Sequence, residues 1–260
     1  MDAREFYDNL GSDYDLMVSW GDRLAREEQF FRELFSRKGC RRVLDAACGT
    51  GMHAVAFSRA GLEVCGVDLS TAMVEKAREN ARAAGVQVRF EAAGFGEIAS
   101  RIGTGFDAAT CLGNSLPHLL DDASLAACLR DFAELLIPGG VLVIQNRNYD
   151  RLLRDRQRFM PPASRTEPDG ETVFLRITEF PPAGSRNDEA VSFTILTLRK
   201  RDGGWKMSER TTPLRALRRA TLKAALERAG FTSVRVYGSY AQQPFDATGT
   251  GDLVVVAERG

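Results

Sequence analysis

The sequence RVLDAACGTG occupies residues 42–51, and VCGVDLS occupies residues 64–70. An apolar run, a glycine-rich turn and a second apolar run ending in a carboxylate predict a strand, a turn, a helix and a second strand. This order is typical of a Rossmann-like sheet that binds an adenosine cofactor. Gly49 and Gly51 allow the tight turn and the close approach of a ligand. Asp68 ends the second strand, where its carboxylate can accept hydrogen bonds from both ribose hydroxyls.

The glycines alone leave two cofactors open, because Gly49-x-Gly51-x-x-Ala54 also fits the relaxed dinucleotide fingerprint of NAD-binding proteins. Asp45 favours the second cofactor, S-adenosylmethionine. It ends the first predicted strand, where its carboxylate would repel a pyrophosphate but attract the ammonium group of S-adenosylmethionine. We therefore predict S-adenosylmethionine as the cofactor.

Strands and helices alternate on both sides of this motif. The turn sequence Pro138-Gly139-Gly140 is predicted to end a helix and to start the fifth strand. The alternation predicts an α/β fold with a parallel, doubly wound sheet and a ligand at the carboxyl ends of the strands. The predicted strands cover 42–47, 62–68, 86–92, 106–112 and 140–146, and the predicted helices cover 52–60, 71–84 and 122–136.

The pattern changes at both ends of this core. Large apolar residues recur near helical spacing at the N-terminus, and alternating segments at 171–180, 190–200 and 204–212 predict antiparallel strands. Such an insertion emerges at the ligand edge, where it serves as a lid or in oligomerisation. The predicted organisation is a helical arm (1–40), a cofactor-binding core (41–150), an antiparallel β insertion (151–215) and a closing segment (216–260) with a helix at 218–229 and strands at 233–240 and 252–258.

The composition argues against several classes of partner. Lys plus Arg equals Asp plus Glu at 35 each, so no net field attracts nucleic acid or anionic lipid. No apolar run approaches the length of a membrane span. The five cysteines lack metal-ligand spacing, and the N-terminal residues do not resemble a signal peptide, which predicts a cytoplasmic protein. A small-molecule substrate fits a protein with equal numbers of acidic and basic residues.

Two further motifs follow the fourth and fifth predicted strands. Residues 112–119 read LGNSLPHL, and residues 146–150 read NRNYD. With the cofactor motif, they resemble the class I S-adenosylmethionine-dependent methyltransferases and, among these, the glycine and glycine-sarcosine N-methyltransferases. The cofactor part of the resemblance covers most of residues 1–150 and the closing segment. It is weak in the insertion.

The resemblance implies a seven-stranded Rossmann-like sheet that ends in an antiparallel hairpin. In that family the Asn and Arg of these motifs hold the substrate's carboxylate, which implies this role for Asn114 and Arg147. A guanidinium can pair bidentately with a carboxylate and leave the amine free to face the methyl group. The alternatives are a structural ion pair of Arg147 with Asp150 or another carboxylate, and a turn role for Asn114 in left-handed geometry.

His118 and Tyr7 complete the catalytic candidates, because the acceptor amine must arrive deprotonated and either side chain can assist. A structural role for His118 is an equal alternative. Tyr7 and Tyr14 belong to a segment similar to the arm that covers the cofactor in many relatives, with core anchoring as the alternative. No metal ligand is predicted. The candidates for cofactor binding are Tyr14, Asp45, Ala47, Gly49, Gly51, Asp68, Leu69, Met73, Phe95 and Cys111.

The predicted function is S-adenosylmethionine-dependent methylation of a small molecule, with the amine of an amino acid as the favoured acceptor. Two alternatives stay open: O- or C-methylation of a larger secondary metabolite, and a non-catalytic S-adenosylmethionine-binding protein. The resemblance allows a homo-oligomer, although no exposed apolar stripe in the sequence indicates one. The sequence does not identify the methyl acceptor.

Overall fold

A computed structural model describes residues 1–11, 13–168, 170–182 and 189–260. Within these residues, one set of strands alternates with helices, and a second set, the sixth to the ninth strand, follows the fifth strand after one short helix. The strands are β1 (Arg42–Ala46), β2 (Glu63–Asp68), β3 (Arg89–Ala92), β4 (Phe106–Cys111), β5 (Leu136–Arg147), β6 (Ala163–Glu167), β7 (Gly170–Glu179), β8 (Ala190–Arg201), β9 (Gly204–Arg215), β10 (Phe231–Tyr237) and β11 (Asp252–Arg259).

Among the described residues, three helices form the N-terminal arm, and three short ones of five to eight residues follow strands or lie between them. In the described part of the chain, no helix is long and apolar enough to span a membrane. The helices are α1 (Ala3–Leu10), α2 (Asp13–Met17), α3 (Trp20–Lys38), α4 (Met52–Arg59), α5 (Thr71–Ala83), α6 (Ile98–Ile102), α7 (Asp122–Leu135), α8 (Tyr149–Asp155) and α9 (Arg219–Arg228), with a 3-10 turn at Leu116–His118.

The main sheet has seven strands in the order β10-β11-β5-β4-β1-β2-β3. Strands β1 to β5 pair in parallel, whereas β11 pairs antiparallel with both β5 and β10. This topology confirms the predicted Rossmann-like sheet with its closing antiparallel hairpin. The strand order reverses next to β1, so the carboxyl ends of β1, β2 and β4 border the crevice in which such sheets bind ligands.

A second, antiparallel sheet has the order β6-β7-β8-β9. Strands β7, β8 and β9 confirm the three predicted strands of the insertion, although parts of the insertion at 169 and 183–188 lie outside the described residues. β6 was not predicted. Its sequence, ASRTE, has no alternation of apolar and polar residues, and it pairs only with β7 at the edge of the sheet.

The predicted start of the fifth strand at residue 140 is wrong. α7 ends at Leu135, and pairing with β4 begins at once, because Phe106 is opposite Leu136. The next pair is Ala108 with Val141, so the Pro138-Gly139-Gly140 turn forms a bulge inside β5. The turn is therefore present, but it interrupts the strand and does not precede it.

The two faces of the main sheet are covered by different helices. One face packs against α6, α7 and α9 through residues such as Phe132 and Leu226. The other packs against α3, α4 and α5 through residues such as Phe31 and Val74. A third apolar cluster joins the N-terminal arm to the second sheet, where Phe6 and other arm residues contact the inner face of β7 and β8. The arm therefore lies between the two sheets.

Gly66 in β2 packs closely against the side chains of Phe90 and Cys48. A Cβ at this position would lie 2.5 Å from the ring of Phe90 and 3.2 Å from the sulfur of Cys48. We predict that Gly66→Ala lowers the free energy of unfolding by about 1–3 kcal/mol, the usual cost of overpacking a core. Denaturant unfolding followed by circular dichroism measures this change.

Gly21→Ala is the matched control, because a Cβ there would meet no atom within 4 Å and Gly21 lies in α3. Alanine in a helix should leave stability unchanged or raise it slightly. Equal stability of the two variants would contradict the close packing at Gly66.

Candidate functional site

The turn after β1 lines a cavity of about 290 Å³ at the carboxyl ends of the strands. Ala47 and Gly49 line this donor cavity, with φ angles of 53° and 54°. Gly51 also has a positive φ, 75°, but it does not line the cavity. A Cβ on Gly51 would lie 2.7 Å from the Cβ of Ala77. The position of Gly51 thus lets α4 pack against α5.

Asp68 lies at the end of β2 with both carboxylate oxygens already bonded to the backbone. Oδ2 accepts from the N–H of Gly49 at 2.8 Å, and Oδ1 accepts from the N–H of Ser70 at 2.9 Å. Burial nevertheless raises the pKa of Asp68 to about 6. Each oxygen keeps a free lone pair, so the carboxylate can still accept hydrogen bonds from a ligand in the donor cavity.

Asp45 offers the same cavity a carboxylate with one free oxygen. Oδ1 accepts from the hydroxyl of Thr110 at 2.9 Å, whereas Oδ2 is buried with no hydrogen-bond partner among the described residues. Burial raises the pKa of this carboxyl. A buried acceptor without a donor suits an ammonium group. Together with Asp68 as a ribose acceptor, it fits the polar groups of S-adenosylmethionine.

The remaining cofactor candidates divide into two groups. Tyr14, Leu69, Met73 and Phe95 line the donor cavity, as a cofactor-binding role requires. Cys111 does not line it, because its side chain is fully buried in the apolar cluster behind β4. The structure therefore provides no path from Cys111 to a ligand in this cavity.

Two aspartates fasten the N-terminal arm across the donor cavity. Asp8 accepts from the hydroxyl of Ser70, the N-cap residue of α5. Asp15 accepts from the hydroxyl of Thr50, in the glycine turn, and from Asn80 at 3.1 Å. The sequence analysis did not single out either aspartate. A sequence pattern could have identified both, because Asp8 follows Tyr7 and Asp15 follows Tyr14 in a repeated Tyr-Asp pair.

A second cavity, of about 570 Å³, adjoins the donor cavity. We call it the acceptor cavity. Tyr7, His118, Asn114 and Arg147 all line it, so the structure brings the four catalytic candidates together. The two cavities share a wall that consists of Tyr7, Tyr14, Arg23, Gly113 and His118.

Asn114 lies in a turn with left-handed backbone geometry, and it also forms hydrogen bonds with β5. Its φ is 67°, and its N–H donates to the carbonyl of Gln145 at 3.0 Å. The side-chain Oδ1 accepts from the N–H of Arg147 at 3.0 Å, and Nδ2 donates to the hydroxyl of Tyr149 at 3.0 Å. Asn114 thus fixes the backbone that carries Arg147.

Arg147 presents its guanidinium to the acceptor cavity without a carboxylate partner among the described residues. Nη1 donates to the hydroxyl of Thr178 in β7 at 3.1 Å. The proposed alternative partner, Asp150, accepts instead from the N–H of Arg219 at 3.0 Å. Burial lowers the pKa of Arg147, and the nearby Tyr149 and Asp252 offset only part of this shift.

Tyr7 and His118 form a pair at the shared wall. The Tyr7 hydroxyl and His118 Nε2 are 3.2 Å apart. Burial lowers the pKa of His118 to about 4, and burial also raises the pKa of Tyr7. Both side chains are therefore neutral at pH 7, and the tyrosine hydroxyl can donate to the imidazole nitrogen.

Comparison with known proteins identifies the class. Residues 43–140 match the family model described as a methyltransferase domain. An S-adenosylmethionine-dependent methyltransferase from Clostridium acetobutylicum superposes with a TM-score of 0.77 over 98% of each chain, at 18% identity. An amino pentose methyltransferase from Micromonospora echinaspora, solved with S-adenosylmethionine bound, gives 0.70 over 94% of this chain and 92% of that chain, at 24% identity. Residues 43–140 thus match a methyltransferase domain, and the fold is that of S-adenosylmethionine-dependent methyltransferases, which confirms the predicted resemblance and the predicted cofactor.

Within this class, the chain resembles N-methyltransferases of small amino acids. It is 36% identical to the glycine/sarcosine N-methyltransferase of Halorhodospira halochloris over 151 residues, which are 58% of this chain and 56% of that protein. It is 37% identical to the glycine N-methyltransferase of Rattus norvegicus over 142 residues, which are 50% of this chain and 48% of that protein. The chain thus spans about half the length of the curated relatives it matches.

The raised pKa of Asp68 predicts a pH-dependent cofactor affinity. The ionised carboxylate is the better acceptor for ribose hydroxyls, and burial holds its pKa at about 6. Below that pH, binding must first release a proton, so we expect affinity to be about tenfold weaker at pH 5 than at pH 7. Titration calorimetry with S-adenosylhomocysteine measures the profile.

Asp68→Asn should weaken binding and remove the part of the profile centred near pH 6. Asp122→Asn, which removes an exposed carboxylate on α7, should keep the wild-type profile. A wild-type affinity that is flat between pH 5 and pH 7 would show that Asp68 is not a ribose acceptor.

Proposed function

We propose that this protein transfers a methyl group from S-adenosylmethionine to the amine nitrogen of a small molecule that carries a carboxylate, such as an amino acid. The observation that supports this most is the guanidinium of Arg147, which lines the acceptor cavity without a carboxylate partner among the described residues. A half-buried cation without a directly paired carboxylate favours an anionic ligand. The identity to glycine/sarcosine N-methyltransferases supports nitrogen as the methylated atom.

The relative position of the cavities supports direct transfer. When bound, S-adenosylmethionine supplies an electrophilic methyl group that an amine nitrogen takes by in-line displacement at carbon. Arg147 holds the carboxylate end of the acceptor, and the shared wall between the cavities leaves the amine facing the donor. Positioning of two reactants in this way can contribute about 7–11 kcal/mol. Asn114 positions Arg147 through its backbone N–H, and a direct contact of Asn114 with the carboxylate stays a prediction.

Tyr7 and His118 are proposed to orient the amine and not to titrate during turnover. His118 has its pKa lowered to about 4, so it is a weak base for an ammonium proton. As a neutral acceptor at the shared wall, it can take a hydrogen bond from the amine or from the Tyr7 hydroxyl. The amine then enters in its deprotonated form.

This role predicts the shape of the pH–rate profile. At saturating S-adenosylmethionine, kcat/KM should rise with pH toward the pKa of the acceptor amine, with no inflection between pH 6 and pH 8 from an enzyme group. The reason is that His118 is already neutral throughout this range. His118→Gln keeps an acceptor for Tyr7 and should lower kcat while preserving the profile. An inflection near pH 6.5 that is lost in His118→Gln would instead identify His118 as the base.

The carboxylate clamp is tested by Arg147→Gln. We expect kcat/KM for a carboxylate-bearing amine to fall about 10- to 100-fold, because a hydrogen-bonded charge is lost. Affinity for S-adenosylhomocysteine should not change, since Arg147 lines the acceptor cavity and does not line the donor cavity. Arg235→Gln, at an exposed position on β10, is the matched control. The assay is methyl transfer from labelled S-adenosylmethionine to a panel of amino acids and amines, with products identified by mass.

Three outcomes of that assay would contradict the proposal. Turnover that survives Arg147→Gln unchanged would remove the clamp. Products methylated at oxygen or carbon would identify the alternative class of larger acceptors, which the size of the acceptor cavity, about 570 Å³, also permits. Tight cofactor binding with no product from any acceptor would indicate a non-catalytic protein.

A further inference from the structure

A second guanidinium lines the acceptor cavity. Arg176 lies on β7, outside every motif that carries the family resemblance. Its Nη2 donates to the carbonyl of Pro161 at 2.9 Å, but its Nε is buried and has no hydrogen-bond partner among the described residues. No carboxylate in the described ranges forms an ion pair with it. An unpaired buried donor on a charged group is costly unless a ligand satisfies it.

Arg176 and Arg147 face the same part of the cavity. Side chains two residues apart on a strand share a face, so Arg176 lies beside Thr178. Thr178 is the residue that accepts the hydrogen bond from Arg147 at 3.1 Å. The positive charge of Arg147 adds to burial in lowering the pKa of Arg176. Two like charges therefore interact at this part of the cavity.

Two other arginines of the same sheet are neutralised. Arg199 and Arg210 on β8 and β9 both form ion pairs with Asp13 of the arm. Of the two carboxylates that line the acceptor cavity, Glu27 pairs with Arg23 and His53. The other, Asp252, accepts from the side chain of Gln145 at 2.9 Å and lies opposite Arg147 on the paired strand. Arg176 and Arg147 thus differ from Arg199 and Arg210 in forming no ion pair with any residue that the structure describes.

The wall beside the two guanidiniums is apolar. Ile195 pairs with Arg176 across β7 and β8, and Phe193 pairs with Thr178 in the same register. Both line the acceptor cavity, together with Leu214 of β9 and Met17 of the arm. A ligand with one anionic group and an apolar side chain matches this surface. A second anionic group on the ligand would face apolar side chains or the carboxylate of Asp252.

We infer that Arg176 and Arg147 together bind one carboxylate of the acceptor, and that the acceptor is an amino acid whose side chain is apolar and larger than that of glycine. This inference rests on the proposed function for the identity of the reacting amine. The antiparallel sheet then selects the substrate, because it supplies both Arg176 and the apolar wall.

The test is a binding measurement that does not require turnover. L-leucine, glycine and isoamylamine, which is leucine without its carboxylate, are titrated by calorimetry into the full chain saturated with S-adenosylhomocysteine. We expect L-leucine to bind more tightly than either glycine or isoamylamine. Arg176→Met should weaken L-leucine binding about 10- to 100-fold and leave isoamylamine binding unchanged.

Two further variants keep the test independent of folding defects. Arg176→Lys keeps the charge but loses the planar fork, so we expect a smaller loss of L-leucine affinity than in Arg176→Met. Arg165→Met, on β6 of the same sheet, removes a guanidinium that contacts the Ser164 carbonyl and lines neither cavity. It should bind L-leucine as the wild type does. Unchanged affinity for S-adenosylhomocysteine confirms that each variant is folded.

The outcomes separate this inference from the proposed function. If L-leucine does not bind, or binds equally well to Arg176→Met, the inference is overturned, even where glycine is methylated. If L-leucine binds through Arg176 but no amino acid is methylated, the anion site stands and the proposed function fails. Tighter binding of glycine than of L-leucine would overturn the apolar side-chain subsite.

Discussion

Two hydrogen bonds to Asp68, from the N–H groups of Gly49 and Ser70, join the ends of β1 and β2. They fix a buried carboxylate at the edge where the strands end, and they order the two turns that border the donor cavity. The arm then attaches to these same turns, through Asp8 at Ser70 and Asp15 at Thr50. Because the tyrosines precede these aspartates in sequence, fixing the arm also places Tyr7 and Tyr14 over the cavity. The cofactor site thus depends on this one connection between strand ends.

The acceptor site depends on a different arrangement, in which the arm lies between the two sheets. The inner face of β7 and β8 packs on the arm through Phe174 and Ile195. This packing carries Thr178 to the end of β5, where it bonds Arg147. Burial of a guanidinium without a counter-ion costs free energy, and the fold's own apolar packing must offset that cost. Such a charge is retained where a ligand compensates it, which is the basis of the proposed carboxylate site.

Much of the fold and the cofactor site was predictable, because local patterns specify them. The seven-stranded sheet follows from apolar runs and turns, and Asp45 and Asp68 follow from their position at strand ends. Gly51 was predicted to contact the cofactor, but it does not line the donor cavity, and its neighbours Ala77 and Phe90 show that its lack of a side chain allows close packing of α5 and β3. Cys111 was proposed as a cofactor contact from its position at a strand end, yet the side chain points to the opposite, apolar cluster. Strand alternation places side chains on either face, and a one-residue difference changes the face.

The amino-acid sequence alone specified the class, the cofactor and the residues at the ends of β1 and β2, because a glycine turn and a strand-end carboxylate act within a short stretch of chain. It also indicated Arg147 through the family resemblance. The tertiary structure decided which charges have partners. Asp150 accepts from the backbone N–H of Arg219, whereas Arg147 donates to Thr178, and Arg176 reaches the same cavity from a strand distant in sequence. The pairing of charges depends on distances between separate elements, and no local pattern encodes those distances.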